Sequence, residues 1–193
     1  MANPDRPNGL RPVGTLDGSP WNARVRKYPV ADRSADTTNN HGDLYVGDPV
    51  ELSSGKVQCA DSNDTIAGVV VAVGKEESVN DGVGPYKASD LTQRYAPHAD
   101  ATGWFAYVCP VEGVIFEVQS ATDLDYFVGS SADINTAANT AHGSRTTGLS
   151  NCEITTASNN DVKVVAIPDY PDNDSTLVNA RYHVVFIKTA FEQ

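Results

Sequence analysis

The chain has 193 residues, with 25 acidic and 14 basic side chains and a formal net charge of −11. That length supports one ordinary domain with a real core and no need of disulfide staples, and the charge opposes nonspecific attraction to a polyphosphate. The longest apolar run, Ile66 to Val73, contains Gly68 and has only eight residues, too few to cross a bilayer as a helix.

Val (23) and Ile (6) outnumber Leu (8) and Met (1). β-branched side chains fit a pleated sheet better than a helix surface, so the elements are expected to be strands. Residues 1–33 differ from the rest. They hold Pro4, Pro7, Pro12, Pro20 and Pro29, and six basic against three acidic side chains, a local +3 that leaves −14 for the remainder. Proline removes a donor and fixes φ, so this segment reads as an extended arm rather than a central strand or helix. Residues 34–43 read as a polar hinge, which puts an arm and hinge at 1–43 and a β-rich body at 44–193.

The body begins with a hairpin. Pro49 to Leu52 and Lys56 to Cys59 alternate apolar and polar on either side of Ser53-Ser-Gly55, placing Val50, Leu52, Val57 and Cys59 toward the core. Ile66 to Val73 is apolar on both faces, as a central or sheet-crossing strand would be. Residues 75–103 are polar and carry Gly82, Gly84, Pro85 and Pro97; they predict a loop excursion from the sheet, with a helical turn or two over Ser89–Tyr95. Trp104 to Cys109 and Glu112 to Val118 predict two strands around Pro110, paired as a hairpin, with Val114, Phe116 and Val118 sharing a face. The Gly/Ser/Asn-rich stretch to Ser150 predicts loop with one short strand. Val162–Ile167 and Tyr182–Lys188 are the last strands, the final one central, joined through an acidic turn at Asp169–Asp174. Roughly eight short strands with no long helix predict an all-β small barrel or sandwich with an extended N-terminal arm.

Chemistry is hard to find in this chain. Cys59, Cys109 and Cys152 are odd in number and far apart, so they read as apolar fillers rather than a zinc module or a disulfide framework. His41, His98, His142 and His183 have no metal-ligand spacing, and no nucleophile elbow or phosphate loop is present. The acidic runs Asp61–Asp64 and Asp169–Asp174 lack calcium-loop spacing and read as solvated turns. No catalytic, cofactor or metal residue is assigned and no enzyme activity is expected. The polar N-terminus lacks a secretory pattern, so synthesis in a cytoplasm is expected.

The charge asymmetry does carry a reading. Leu10, Val13, Leu16, Trp21, Val25, Tyr28 and Val30 give the basic arm more apolar and aromatic residues than a solvated tail carries, so its order is expected to come from contact with another surface. The opening Asn3-Pro-Asp-Arg-Pro-Asn-Gly-Leu-Arg-Pro-Val13, followed by Leu16-Asp-Gly-Ser-Pro-Trp-Asn22, resembles the start of head decoration (cement) proteins of tailed bacteriophages, although Asn8 stands where that pattern carries an aromatic residue. Val46-Gly-Asp-Pro-Val50, the hairpin to Cys59 and Ile66-Ala-Gly-Val69 are similar to the same group. The resemblance implies a virion structural protein on the outer capsid surface, commonly a homotrimer, that binds major capsid protein and stabilises the expanded lattice by bridging its subunits. Neither nucleic acid nor membrane is an expected partner. The arm residues expected to touch the capsid are Arg11, Trp21, Arg24, Arg26 and Tyr28, because arginine and aromatics anchor interfaces. The competing reading is a phage tail or fibre module that binds a host glycan on a platform of Trp104, Tyr107 and the Tyr86–Tyr95 loop.

Overall fold

The structure, a computed structural model, describes residues 2–22, 24–32, 42–80, 85–97, 101–123, 125–136 and 143–191, with 77–80 and 85–88 described by their backbone. Among the described residues there is no helix, and there are fourteen strands. In chain order they are β1 (Arg11–Thr15), β2 (Arg26–Pro29), β3 (Leu44–Tyr45), β4 (Pro49–Ser53), β5 (Lys56–Cys59), β6 (Gly68–Asn80) and β7 (Pro85–Asp90). There follow β8 (Tyr95–Ala96), β9 (Trp104–Pro110), β10 (Val114–Gln119), β11 (Ser131–Asn135), β12 (Glu153–Thr156), β13 (Val162–Ala166) and β14 (Arg181–Phe186).

The fold is an all-β sandwich of two curled antiparallel sheets. The first has the order β1-β10-β14-β13-β11-β12, and the second β2-β9-β6-β4-β5 with β7 extending β6; β3 and β8 form a separate short pair. Both sheets curl without closing. Val30, just past β2, makes one parallel bridge to Val57 in β5, and Ser120, just past β10, makes one to Ile154 in β12. Each curl encloses its own apolar cluster. Phe116, Ile134, Ile154 and Tyr182 lie in the first, and Val30, Val50, Val57, Val70 and Val108 in the second. Full burial of one such side chain contributes about 1.5–3 kcal/mol.

Strand β6 shows why the run from Ile66 had to be apolar on both sides. Val69 joins the first cluster, whereas Val70 and Val73 join the second. A bulge between Val70 and Ala72, against β9, lets Val70 and Val73 serve the same face. The second sheet is therefore covered twice, by its own interior and by the first sheet. The final strand is central, between β10 and β13, and alternates half-buried and buried side chains along its length. Cys59, Cys109 and Cys152 are all buried free thiols, and burial pushes the Cys109 thiol up to about 11.

Several expectations need correction. The arm is not separate from the body: β1 is the edge strand of the first sheet, pairing with β10, and β2 is the edge of the second, pairing with β9. Proline suits an edge because its missing donor costs nothing there. Leu10 is 2% exposed and belongs to the first core cluster. Gly9 brings it in, at a positive φ where a Cβ would stand 2.6 Å from Cβ of Ser150 and 2.7 Å from O of Gly47. Further out, the buried Asn3 side chain donates to the carbonyls of Asp174 (2.8 Å) and Val178 (2.9 Å) and accepts from N–H of Asp174 (2.8 Å). Of the hinge at 34–43, residues 34–41 lie outside the described residues.

The excursion over 75–103 is largely sheet. β6 runs on to Asn80 and β7 pairs back along it from Lys75↔Asp90 to Asn80↔Pro85. The helical turns at 89–95 are absent; Tyr95 instead pairs with Tyr45, their rings stacked at 5.8 Å. Strands β9 and β10 do not form a hairpin. The turn at 111–113, with Gly113 at φ 69, passes the chain from one sheet to the other. The strands beyond the expected eight are β1, β2, β3, β7, β8 and β12, which are short or begin or end on proline and so lack a readable alternation.

Two outcomes follow from this integration. Leu10→Ala should cost about 2–4 kcal/mol in urea unfolding, and deletion of residues 1–33 should unfold the body rather than free an arm. Burial and the neighbouring Asp5 push Glu153 from 4.5 up to about 7. The folded chain then holds a proton that the unfolded chain has released, so stability falls as pH rises across that window and levels off above it. Glu153→Gln should abolish this fall and, allowing for solvent screening at a partly exposed group, gain roughly 1 kcal/mol at pH 8 in denaturant titrations.

Candidate partner-binding surface

The segment that carries the positive charge changes sides as it runs. Arg11 leaves its backbone in β1 and donates to Oε1 of Glu117 at 2.5 Å. Glu117 is buried and also accepts from the Tyr170 hydroxyl at 2.8 Å, a contact that raises the phenol's pKa. Arg11 thus ties the edge strand to β10 and to the 168–174 loop. Beyond β1 the chain turns at residues 15–18. Asp17 accepts from the hydroxyls of Thr15 and Ser19 and from N–H of Ser19; with the nearby charge of Arg24, these bonds hold its carboxyl at about 2. Trp21 then packs on the first core cluster.

Strand β2 sorts its side chains by the period of two. Tyr28 packs on the second core cluster. Arg26 lies over the Phe191 ring at 5.6 Å. Lys27 points to the opposite side, where it pairs with Glu76 and sits 3.9 Å above the Phe105 ring. Arg24, Val25 and Arg26 are all exposed. With Leu16, Asp17, Pro110, Glu112 and Val114 they line a surface cleft of about 650 Å³ between the turn after β1, the start of β2 and the β9–β10 turn.

The residues expected to bind a partner therefore divide. Arg24 and Arg26 stand at an open cleft. Trp21 and Tyr28 are half-buried and pack on the first and second core clusters, and Arg11 is engaged with a buried carboxylate within its own chain. The surface also includes residues that the sequence did not single out together. Leu16 is 60% exposed, and Val25 and Phe191 38% and 39%; Glu112 and Val114 arrive from another strand connection. Charge and proline had marked the segment, but only the crossing from β9 to β10 brings 110–114 against it.

The glycan platform is not assembled. Trp104 and Tyr107 are three residues apart on one strand and face opposite sides: Trp104 packs on the second core cluster, whereas Tyr107 packs edge-on against Phe105 at 5.6 Å. One sugar cannot stack on both. The side chain of Tyr86 lies outside the described residues. Among the described residues no group of three or more His, Cys, Asp or Glu side chains could hold a metal ion. Asp61 instead receives the Thr136 hydroxyl, and Asp172 pairs with Arg181.

Fold and surface together define an all-β sandwich with a cleft that sets two exposed arginines and two acids, Asp17 and Glu112, among apolar side chains. Compared with protein-family models, curated proteins and solved structures, the chain matches none.

The division of roles has a direct test by thermal or urea unfolding. Trp21→Ala and Tyr28→Ala should each cost about 2 kcal/mol or more, whereas Arg24→Ser and Val25→Ser should shift stability by no more than about 0.5 kcal/mol.

Proposed function

We propose that this protein is a virion structural protein that binds the outer surface of a capsid shell, bridging major capsid subunits and stabilising the expanded lattice. The observation that carries this reading is the cleft at Leu16, Arg24, Val25 and Arg26: exposed arginines beside exposed aliphatic side chains on a chain of charge −11. Such a surface suits a protein partner with apolar and carboxylate groups, since arginine pairs with carboxylates in a fixed, two-pronged geometry. The resemblance of residues 3–22 to decoration proteins points to the same partner class.

A protein of this kind stabilises by differential affinity. If its contacts span two capsid subunits in their expanded arrangement only, binding adds its free energy to that arrangement and not to the compact one. Each interface can be modest. Copies linked to one another gain occupancy through effective concentration. The pairing of β1 with β10 and of β2 with β9 favours this, because little chain entropy is lost when the surface is engaged.

The test is co-sedimentation of purified protein with shells before and after expansion. Saturable binding to expanded shells alone is the expected result. Arg24→Glu with Arg26→Glu should weaken it at least about tenfold, and added salt should weaken the wild type. Absence of binding to either shell would end the proposal.

A further inference from the structure

The connection between β5 and β6 meets the end of β14 through three polar side chains. Nζ of Lys188 donates to Oδ1 of Asn63 at 2.7 Å and to Oδ1 of Asp161 at 3.3 Å. Asn63 and Lys188 are 125 positions apart in the chain. Asp161 is 1% exposed, and its carboxylate also accepts from N–H of Asn63 at 2.9 Å, from the Ser62 hydroxyl at 2.7 Å and from N–H of Ile134 at 3.2 Å. A buried acid thus touches both an amine and the residue whose carboxamide that amine touches.

Backbone bonds hold these groups in place. N–H of Ile66 donates to the Lys188 carbonyl at 3.1 Å, and N–H of Ala190 to the Ile66 carbonyl at 2.9 Å, which fixes the chain after β14 beside the β5–β6 connection. N–H of Ile187 donates to the Asp161 carbonyl at 2.9 Å. Asn63 sits at φ 78, a left-handed position that asparagine tolerates. That turn geometry accounts for the asparagine but not for the lysine on its amide oxygen. In free solution an amine and a carboxamide rarely react, because the amine is protonated and the amide nitrogen leaves poorly. Fixed contact removes the cost of encounter, and a carboxylate between them can move the proton that both steps require.

We propose that Lys188 and Asn63 form an intramolecular isopeptide bond, with Asp161 as the proton carrier. Oδ1 of Asp161 takes a proton from the Lys188 ammonium, which frees the Nζ lone pair to attack Cγ of Asn63. The Nζ–Cγ bond forms, the Cγ–Nδ2 bond breaks, and Nδ2 leaves as ammonium. The protons balance: Nζ starts with three and ends with one, and the other two depart on Nδ2, one of them by way of Asp161. No oxidant, cofactor or second protein takes part. Asn63 is exposed, so the ammonium escapes to solvent and the step runs forward. The bond ties the turn after β5, in the second sheet, to the end of β14, the central strand of the first. The inference does not depend on shell binding.

Intact mass of the full chain, purified folded and then denatured, tests it. The wild type should be lighter than its sequence mass by one ammonia, and its protease digest should contain one branched peptide joining the segments around Asn63 and Lys188. Lys188→Arg, and Asn63→Gly, which suits the positive φ, should both keep the full mass. The cross-linked wild type should also unfold at higher urea than Lys188→Arg, because the closed loop restricts the unfolded chain. Asp161→Asn keeps the shape of the side chain without its basicity and should lose no ammonia; cross-linking at the wild-type rate in that variant would overturn the role of Asp161. The wild-type mass decides the bond itself even if that variant fails to fold. A wild type at its full sequence mass would overturn the proposal. So would a loss of ammonia that persists in Lys188→Arg, since that marks an asparagine cyclising on its own backbone rather than a bond to lysine.

Discussion

The structure depends on the burial of Leu10 where the two sheets meet. Gly9 and Gly47 let two backbones approach more closely than any side chain would permit, and N–H of Leu10 donates to the Gly47 carbonyl at 2.9 Å. Gly47 in turn donates to Val70 in β6 at 2.8 Å. A segment that enters beside one sheet is thereby fixed to the central strand of the other. Leu10 anchors its start, β1 closes the edge of the first sheet, and β2 closes the edge of the second. Without this insertion both edges would be bare and the first core cluster open.

That integration alters what the basic segment can do. A loose arm would lose conformational entropy on meeting a partner, whereas a docked one presents its surface ready-made. It also divides the positive charge. Arg11 is spent on the buried Glu117, which would otherwise be left with less compensation. Lys27 turns to Glu76, while Arg24 and Arg26 stay at the cleft. Four of the segment's six basic side chains thus serve as a latch within the fold, a surface ion pair and part of the cleft wall.

The proposed bridging role would need a stiff body that holds its contact surface preformed. No single contact would then have to be strong. Coupling several weak contacts through one stiff scaffold raises occupancy by effective concentration, provided the geometry allows simultaneous engagement. The sandwich supplies that stiffness because the second sheet is packed on both of its faces.

What the sequence determined by itself is everything that depends on local preference and periodicity. The excess of valine and isoleucine announced an all-β chain. The alternation in 49–59 marked a hairpin, observed as β4 and β5 in register from Val50↔Cys59 to Ser53↔Lys56. The doubly apolar run at 66–73 marked a central strand, and Val114, Phe116 and Val118 share their buried face as their spacing required. The exposed Arg24 and Arg26 were legible as charge. Tertiary structure alone decided where the N-terminal segment goes, because prolines and arginines on an edge strand look the same in sequence as those on a free tail. It alone separated β9 from β10 into different sheets, a choice made by what packs on each face rather than by the turn between them. And it alone gathered residues from β1, β2 and the 110–114 turn into one cleft and left Phe127 in solvent, since exposure is a property of neighbours that are distant along the chain.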